Sequence, residues 1–177
     1  VGSEPGACRR AFNKAVAGPL IAQAGLARPR LAALPHDMFR ELGAAALVAA
    51  LGERIGFPMI VKPARSGSAL GCTKVNAAAE LPSAMVGAYS YGDLAVIEEF
   101  VDGTEVAVTV IEQDGVPVAL PAVEIRPNSG IYDYTARYTA GETRFIVPAE
   151  LGDEVADACA ELAIAASDVV LFVVDAT

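Results

Sequence analysis

The sequence predicts an α+β chain made of two small α/β lobes, and three stretches carry that expectation. At 57–74 the run F-P-M-I-V-K-P-A-R-S-G-S-A-L-G-C-T-K is an apolar strand (Met59, Ile60, Val61) that ends on lysine and proline and opens into a Ser/Gly loop. At 77–97 a helix with one apolar face leads into a second apolar strand, Leu94 to Ile97, so strand, loop, strand, helix and strand form one lobe. At 105–125 two β-rich runs flank Asp114-Gly115, a strong hairpin signal, and a second lobe opens at Thr104.

Taken in order, residues 7–24 read as a helix with Ala11, Val16, Leu20 and Ile21 on one side and Gly25 as its stop. Pro19 predicts a break near Gly18. Residues 29–35 read as an extended connection, and Asp37 as an N-cap-like start to an alanine-rich helix reaching about Glu53. Gly56-Phe57-Pro58 then turns the chain into the central strand. A second strand carries Thr73 and Lys74, and the helix over 77–89 places Leu81, Met85 and Val86 on one face before Gly92-Asp93 stops it. Beyond the hairpin, 128–145 reads as a long loop rich in Gly, Tyr, Thr and charge, 150–166 as an amphipathic helix, and 169–174 as a buried strand.

Composition narrows the function. A chain of 177 residues can bury roughly 70% of its unfolded surface, enough for a real core. Acidic residues outnumber basic ones by 22 to 13, and the net charge of −9 argues against nucleic acid or an anionic membrane as the main partner. Any phosphate site must therefore be local. Three cysteines without C-x-x-C spacing indicate neither a disulfide framework nor a zinc site, and a reducing cytoplasm is the simplest expectation. No run reaches the ~18 apolar residues needed to span a bilayer. The one histidine, His36, lies in the polar L-P-H-D turn and reads as a helix-start residue, not a catalyst, and one histidine alone builds no His-based metal cluster.

Three stretches carry candidate chemistry. Lys62 is a cation on a rigid strand end, and the glycines beside it let backbone N–H groups approach an anion, which suits a polyphosphate. The lysine precedes the glycines, unlike a Walker loop, and by itself the same pattern also suits a surface turn. The second stretch, I-E-E-F-V-D-G-T-E-V at 97–106, sets an acid at a strand end, an aromatic beside Val101, and Glu105 seven residues on. That arrangement could line a nucleoside, with backbone reading the base and a carboxylate accepting from the ribose, or it is a strand-turn-strand with surface glutamates. The third, Y-D-Y-T-A-R-Y at 132–138, could close over a ligand and deliver a guanidinium to phosphate, or pack the loop on the core.

Together, and in this order, these stretches resemble the D-alanine-D-alanine ligase family of ATP-grasp enzymes. The resemblance runs through A-F-N-K, I-V-K-P-A-R-S-G-S-A-L-G, I-E-E-F-V-D-G-T-E-V, P-A-V-E-I-R-P and I-Y-D-Y-T-A-R-Y-T-A-G-E-T-R-F-I-V-P-A, nearly the whole chain. It implies an ATP-grasp fold of two α/β lobes with the nucleotide between them. Residues 1–30 would be a leading helix after an N-terminal lobe expected before Val1, 31–103 the central lobe with its flap, and 104–177 an incomplete C-terminal lobe. The implied activity is ATP-dependent joining of two D-alanines through an acyl phosphate, with another acceptor such as D-serine or D-lactate, or a silent nucleotide-binding module, as alternatives.

The resemblance also implies roles. Lys14 and Lys62 would contact ATP phosphates under a flap of Ser66, Gly67, Ser68 and Gly71. Glu98, Glu99, Phe100 and Val101 would line the adenine pocket, and Glu105 would hold the ribose. Ser68 and Tyr138 match a hydrogen-bonded serine and tyrosine near the substrate, and Arg137 falls where many relatives carry a phosphate-binding lysine. Asp168 is the best match for an aspartate that holds Mg2+, or Mn2+ in its place, with Asp175 the weaker match. The arginine usually two residues earlier is replaced by Ala166, and no Glu-x-Asn follows within the 177 residues. Small-molecule substrates, a homodimer and a cytoplasmic location complete the expectation.

Overall fold

The structure is a computed structural model that describes residues 3–170 and 174–175, with backbone alone for 168–170 and 174–175. The chain divides into two compact units. One comprises Asn13–Gly18 and Arg28–Asp102, the other Val1–Phe12, Pro19–Ala27 and Gly103–Thr177.

The first unit is built on a sheet in the order β1 (Leu31–Pro35), β4 (Leu94–Glu99), β2 (Met59–Pro63), β3 (Thr73–Val75), every neighbour antiparallel. Strand alternation gives the sheet two different faces. On one, Met59, Val61, Val75, Ala95 and Ile97 are wholly buried and pack with Leu34. Helices α4 (Ala44–Arg54) and α5 (Leu81–Tyr89) complete that core through Leu47, Leu51, Leu81, Ala84, Met85 and Ala88. Each large side chain fully withdrawn from water there contributes on the order of 1.5–3 kcal/mol. Val86, expected on the buried face, is 59% exposed, because Leu81, Ala84, Met85 and Ala88 already fill the contact stripe. The other face carries Ile60 and Lys62 of β2 with Glu98 of β4.

The extended connection over 29–35 is strand β1, whose Leu31 pairs with Glu98. The helix expected from Asp37 to Glu53 is two helices, α3 (His36–Leu42) and α4, split at Gly43, whose φ of 77° only glycine adopts readily. His36 opens α3, as its place in the turn suggests, and its ring lies 4.6 Å from that of Tyr89. The break expected near Gly18 falls elsewhere: α1 (Pro5–Phe12) and α2 (Lys14–Gln23) part at Asn13, and Pro19 sits inside α2. Asn13 is withdrawn from both helices by a bridge to Arg65, and the Lys14 amide donates to the Ala64 carbonyl at 2.9 Å. The Asn13 side chain accepts from the Ala15 amide at 3.2 Å, capping α2.

In the second unit the hairpin forms as expected between β6 (Val110–Gln113) and β7 (Val116–Ala119), with Asp114 and Gly115 both at positive φ. The long strands drawn through 105–111 and 116–125 are each divided. β5 (Glu105–Ala107) and β8 (Val123–Pro127) pair in a separate sheet with β9 (Thr143–Ile146), while β10 (Val174–Asp175) joins β6 in parallel. Residues 128–145 are not a plain loop. They contain α6 (Tyr134–Tyr138), capped where Asp133 accepts from the Ala136 amide at 2.8 Å, and most of β9. α7 (Asp153–Val170) runs past Ala166, so residues 169 and 170, expected in a strand, are its last turn.

Candidate functional site

Lys62 leaves the open face of β2 and donates to the Glu98 carboxylate at 2.5 Å. The two residues are diagonal neighbours, since Lys62 pairs with Val96 and Glu98 with Ile60. Their side chains are only 23% and 18% exposed, so the pair is largely desolvated. Lys14 is brought to the same place by the Asn13 bridge, and its ammonium donates to the Ser66 carbonyl at 2.9 Å. Desolvation first, and then the charge of Lys62, hold the Lys14 ammonium below the ordinary lysine range, against smaller opposing pulls from Cys72 and Glu98. Two cations and one carboxylate thus share a partly dry patch with one positive charge in excess, a site suited to an incoming anion.

The Ser/Gly segment beside them folds on itself. The Leu70 amide donates to the Gly67 carbonyl, the Cys72 amide to the Ala69 carbonyl, and Ser68 and Ala69 both take positive φ. Gly71, at φ 68°, is required by space as well: a Cβ there would stand 2.6 Å from the Tyr91 ring and 2.9 Å from Pro63.

Glu99 and Phe100 follow Glu98 on alternate sides. The Glu99 carboxylate takes both Nε and Nη2 of Arg30 at 2.9 Å, which holds it below the usual carboxylate range. Its amide donates to the Arg30 carbonyl, and that of Phe100 to the Pro58 carbonyl. Beyond the strand, Val101 is 66% exposed.

In the second unit Glu105 stands at the start of β5, paired with Ile125. Desolvation raises its pKa while the Arg137 charge pulls the other way, so the two groups feel each other. The Arg137 guanidinium lies 4.0 Å above the Tyr132 ring, which meets Phe145 edge-on at 6.0 Å. Tyr138, on α6, is largely exposed, and its ring is 4.8 Å from that of Tyr134. Among the described residues no three His, Cys, Asp or Glu side chains gather, so they offer no all-protein cage for a metal. Asp168 is on the last turn of α7 and Asp175 in β10, both with side chains outside the described residues.

Within the first unit, then, Lys14, Lys62, Ser66 and Glu98 come together, and in the second Glu105 and Arg137. Sequence reasoning missed Arg30 and Lys74 as site residues. The Lys74 ammonium stands 3.6 Å from the centre of the Phe100 ring. Its place on a strand was legible, but the face it occupies shows only once the strand register is known.

The fold and the sequence both have counterparts among known proteins. The structure superimposes on the VanG D-Ala:D-Ser ligase of Enterococcus faecalis with a TM-score of 0.82 at 27% identity, over 97% of this chain and 48% of that one. A D-alanyl-alanine synthetase A of Vibrio cholerae shares the fold, with a TM-score of 0.78 at 21% identity over 96% and 51%. The architecture is that of the ATP-grasp class. The family described as "D-ala D-ala ligase C-terminus" matches residues 20–173, and the chain belongs to that family. D-alanine–D-alanine ligases of Mannheimia succiniciproducens and Bordetella petrii are 42% identical over 118 residues and 33% identical over 165, covering 67% and 93% of this chain. The chain spans 37% and 48% of those relatives' lengths. Among the described residues no helix is long and apolar enough to cross a membrane.

Proposed function

We propose that this chain is the ATP-binding section of a ligase that joins two D-alanines, with ATP converted to ADP and phosphate. The observation that carries the reading is the Lys14, Lys62 and Glu98 patch at the root of the Ser/Gly segment, an excess of positive charge in an otherwise acidic protein. Family membership over residues 20–173 supports the reaction class. The two units are assigned to the central and C-terminal lobes of the fold.

The terminal phosphoryl group of ATP passes to a carboxylate oxygen of the first D-alanine, the bond to ADP breaking as the acyl phosphate forms. The amine of the second attacks the acyl carbon, gives up a proton, and phosphate leaves. This chemistry requires neutralised phosphoryl charge and exclusion of water from a labile intermediate. Lys14, Lys62 and Arg137 are assigned to the phosphates, with Arg137 supplying a planar, bidentate cation at the place where the family resemblance implies a lysine in many members. Ser66 to Gly71 form the cover, and Ser68 with Tyr138 are assigned to the substrate side. Glu98, Glu99, Phe100 and Val101 are assigned to the adenine. The Glu99 and Phe100 amides are already bonded, so the base edge falls to other backbone groups of this run. Glu105 is assigned to the ribose. ATP is used as its magnesium complex, with manganese as substitute, and Asp168 is the proposed ligand. The substrates are small molecules, and the enzyme is a cytoplasmic homodimer that uses neither nucleic acid nor membrane.

Calorimetry with ATP tests the binding half: micromolar to millimolar affinity is expected, and no binding at millimolar ATP refutes it. Phosphate release by the protein containing this chain, with a panel of D-amino acids and D-lactate, tests the other half. D-Alanine alone is expected to suffice, and release only with D-serine or D-lactate as second substrate would replace the acceptor.

A further inference from the structure

On the sheet face that carries Lys62, one row crosses three strands: Lys74 of β3, Ile60 of β2 and Glu98 of β4, Ile60 being the register partner of both outer residues. Phe100 lies two residues past Glu98, on the same side by alternation. Lys74 Nζ stands 3.6 Å from the centre of its ring, and the Phe100 amide donates to the Pro58 carbonyl at 3.2 Å, so ring and backbone are both held. Among the described residues Lys74 makes no ion pair, and the acid in its row is taken by Lys62. A lysine in an acidic protein is thus committed to an aromatic face, not to a carboxylate, beside the patch that collects phosphate.

We propose that Lys74 is a positioning residue for the nucleobase: its ammonium fixes and polarises the Phe100 ring as the platform on which the purine stacks. The inference rests on the ATP-binding reading and goes beyond it, because it assigns base recognition to a side chain that touches no phosphate. The platform serves only ligands that carry a base, and that separates it from a phosphate cation or a fold-stabilising contact.

The test compares ATP with inorganic tripolyphosphate by calorimetry in wild type, Lys74→Met, Lys74→Arg, Phe100→Leu and the Lys74→Met/Phe100→Leu pair. Lys74→Met is expected to weaken ATP by about two- to five-fold, the range for an exposed cation–π contact, and to leave tripolyphosphate unchanged. Lys74→Arg keeps ATP affinity, and in the Phe100→Leu background the methionine adds no further loss. Equal weakening of both ligands makes Lys74 a phosphate cation and overturns the proposal, as does unchanged ATP affinity. Should Lys74→Met fail to fold, Phe100→Leu decides alone: losing tripolyphosphate as much as ATP overturns the platform. Wild type that binds tripolyphosphate and ATP equally removes base recognition but leaves the phosphate site standing. Wild type that binds neither refutes the ATP-binding reading itself.

Discussion

Lys62→Ala separates what the Lys62–Glu98 pair does for the fold from what Lys62 does for a ligand. Losing a charge-assisted hydrogen bond to phosphate costs about 1.5–3 kcal/mol, an ATP affinity lower by roughly 10- to 150-fold. The effect on folding is smaller and of different origin. With side chains 23% and 18% exposed, the pair lies between surface pairs, near 0–1 kcal/mol, and fully buried ones, whose breakage costs 3–5. About 1–2 kcal/mol of destabilisation is expected, offset in part because Lys14 loses a repulsive neighbour. Adding Glu98→Gln removes the stranded carboxylate, so the double variant should regain most of the stability and little of the affinity. Thermal melting and ATP calorimetry on the same three proteins give both numbers. A single variant that binds ATP within twofold of wild type, or a double variant that recovers binding along with stability, would refute the assignment of Lys62 to phosphate.

Gly71→Ala should destabilise by about 1–3 kcal/mol, since the new Cβ meets Tyr91 and Pro63 at a left-handed φ. Melting in a Tyr91→Ala background should show partial recovery, and an equal loss there would mean the ring is not the obstacle. Glu105→Gln should raise the ATP requirement more than the D-alanine requirement in steady-state kinetics, with the reverse order removing Glu105 from the ribose. Burial pushes the Tyr89 hydroxyl, which donates to the Leu34 carbonyl, up to about 12. Its unfolded counterpart ionises near 10, so the stability it contributes is complete below pH 10 and is lost between about 10 and 12. Tyr89→Phe should flatten that alkaline decline, followed by melting against pH. Because Lys14 titrates below its ordinary range and a bound polyanion favours its charged form, ATP binding should take up protons as pH approaches that lowered value. Calorimetry in buffers of different ionisation enthalpy measures the uptake, and Lys14→Met should abolish it.

Where local chemistry decided the outcome, the sequence was readable. Met59-Ile60-Val61 before Lys62-Pro63 announced the central strand, and Asp114-Gly115 the hairpin, because each rests on neighbours in the chain. Distant partners hid the rest. Asn13 and not Pro19 breaks the first helix, since a bridge to Arg65, 52 residues on, withdraws Asn13 from both helices. Gly43 is the exception, a local break that divides the alanine-rich run and that helix propensity already disfavours. At the site, Lys62 and Glu105 were legible as charges at strand ends, but the Arg30 grip on Glu99 spans 69 residues and Lys74 acquires a face only through the register of β3 on β2.

Lys62 has Glu98 as its partner, whereas Lys14 is held beside a second ammonium at a cost in desolvation and repulsion. A screen that rewards heat resistance alone would therefore tend to discard Lys14, the ammonium held by desolvation and by the Lys62 charge, and with it the cation proposed for triphosphate. Variants chosen for endurance should be assayed for nucleotide capture before they are counted as improvements.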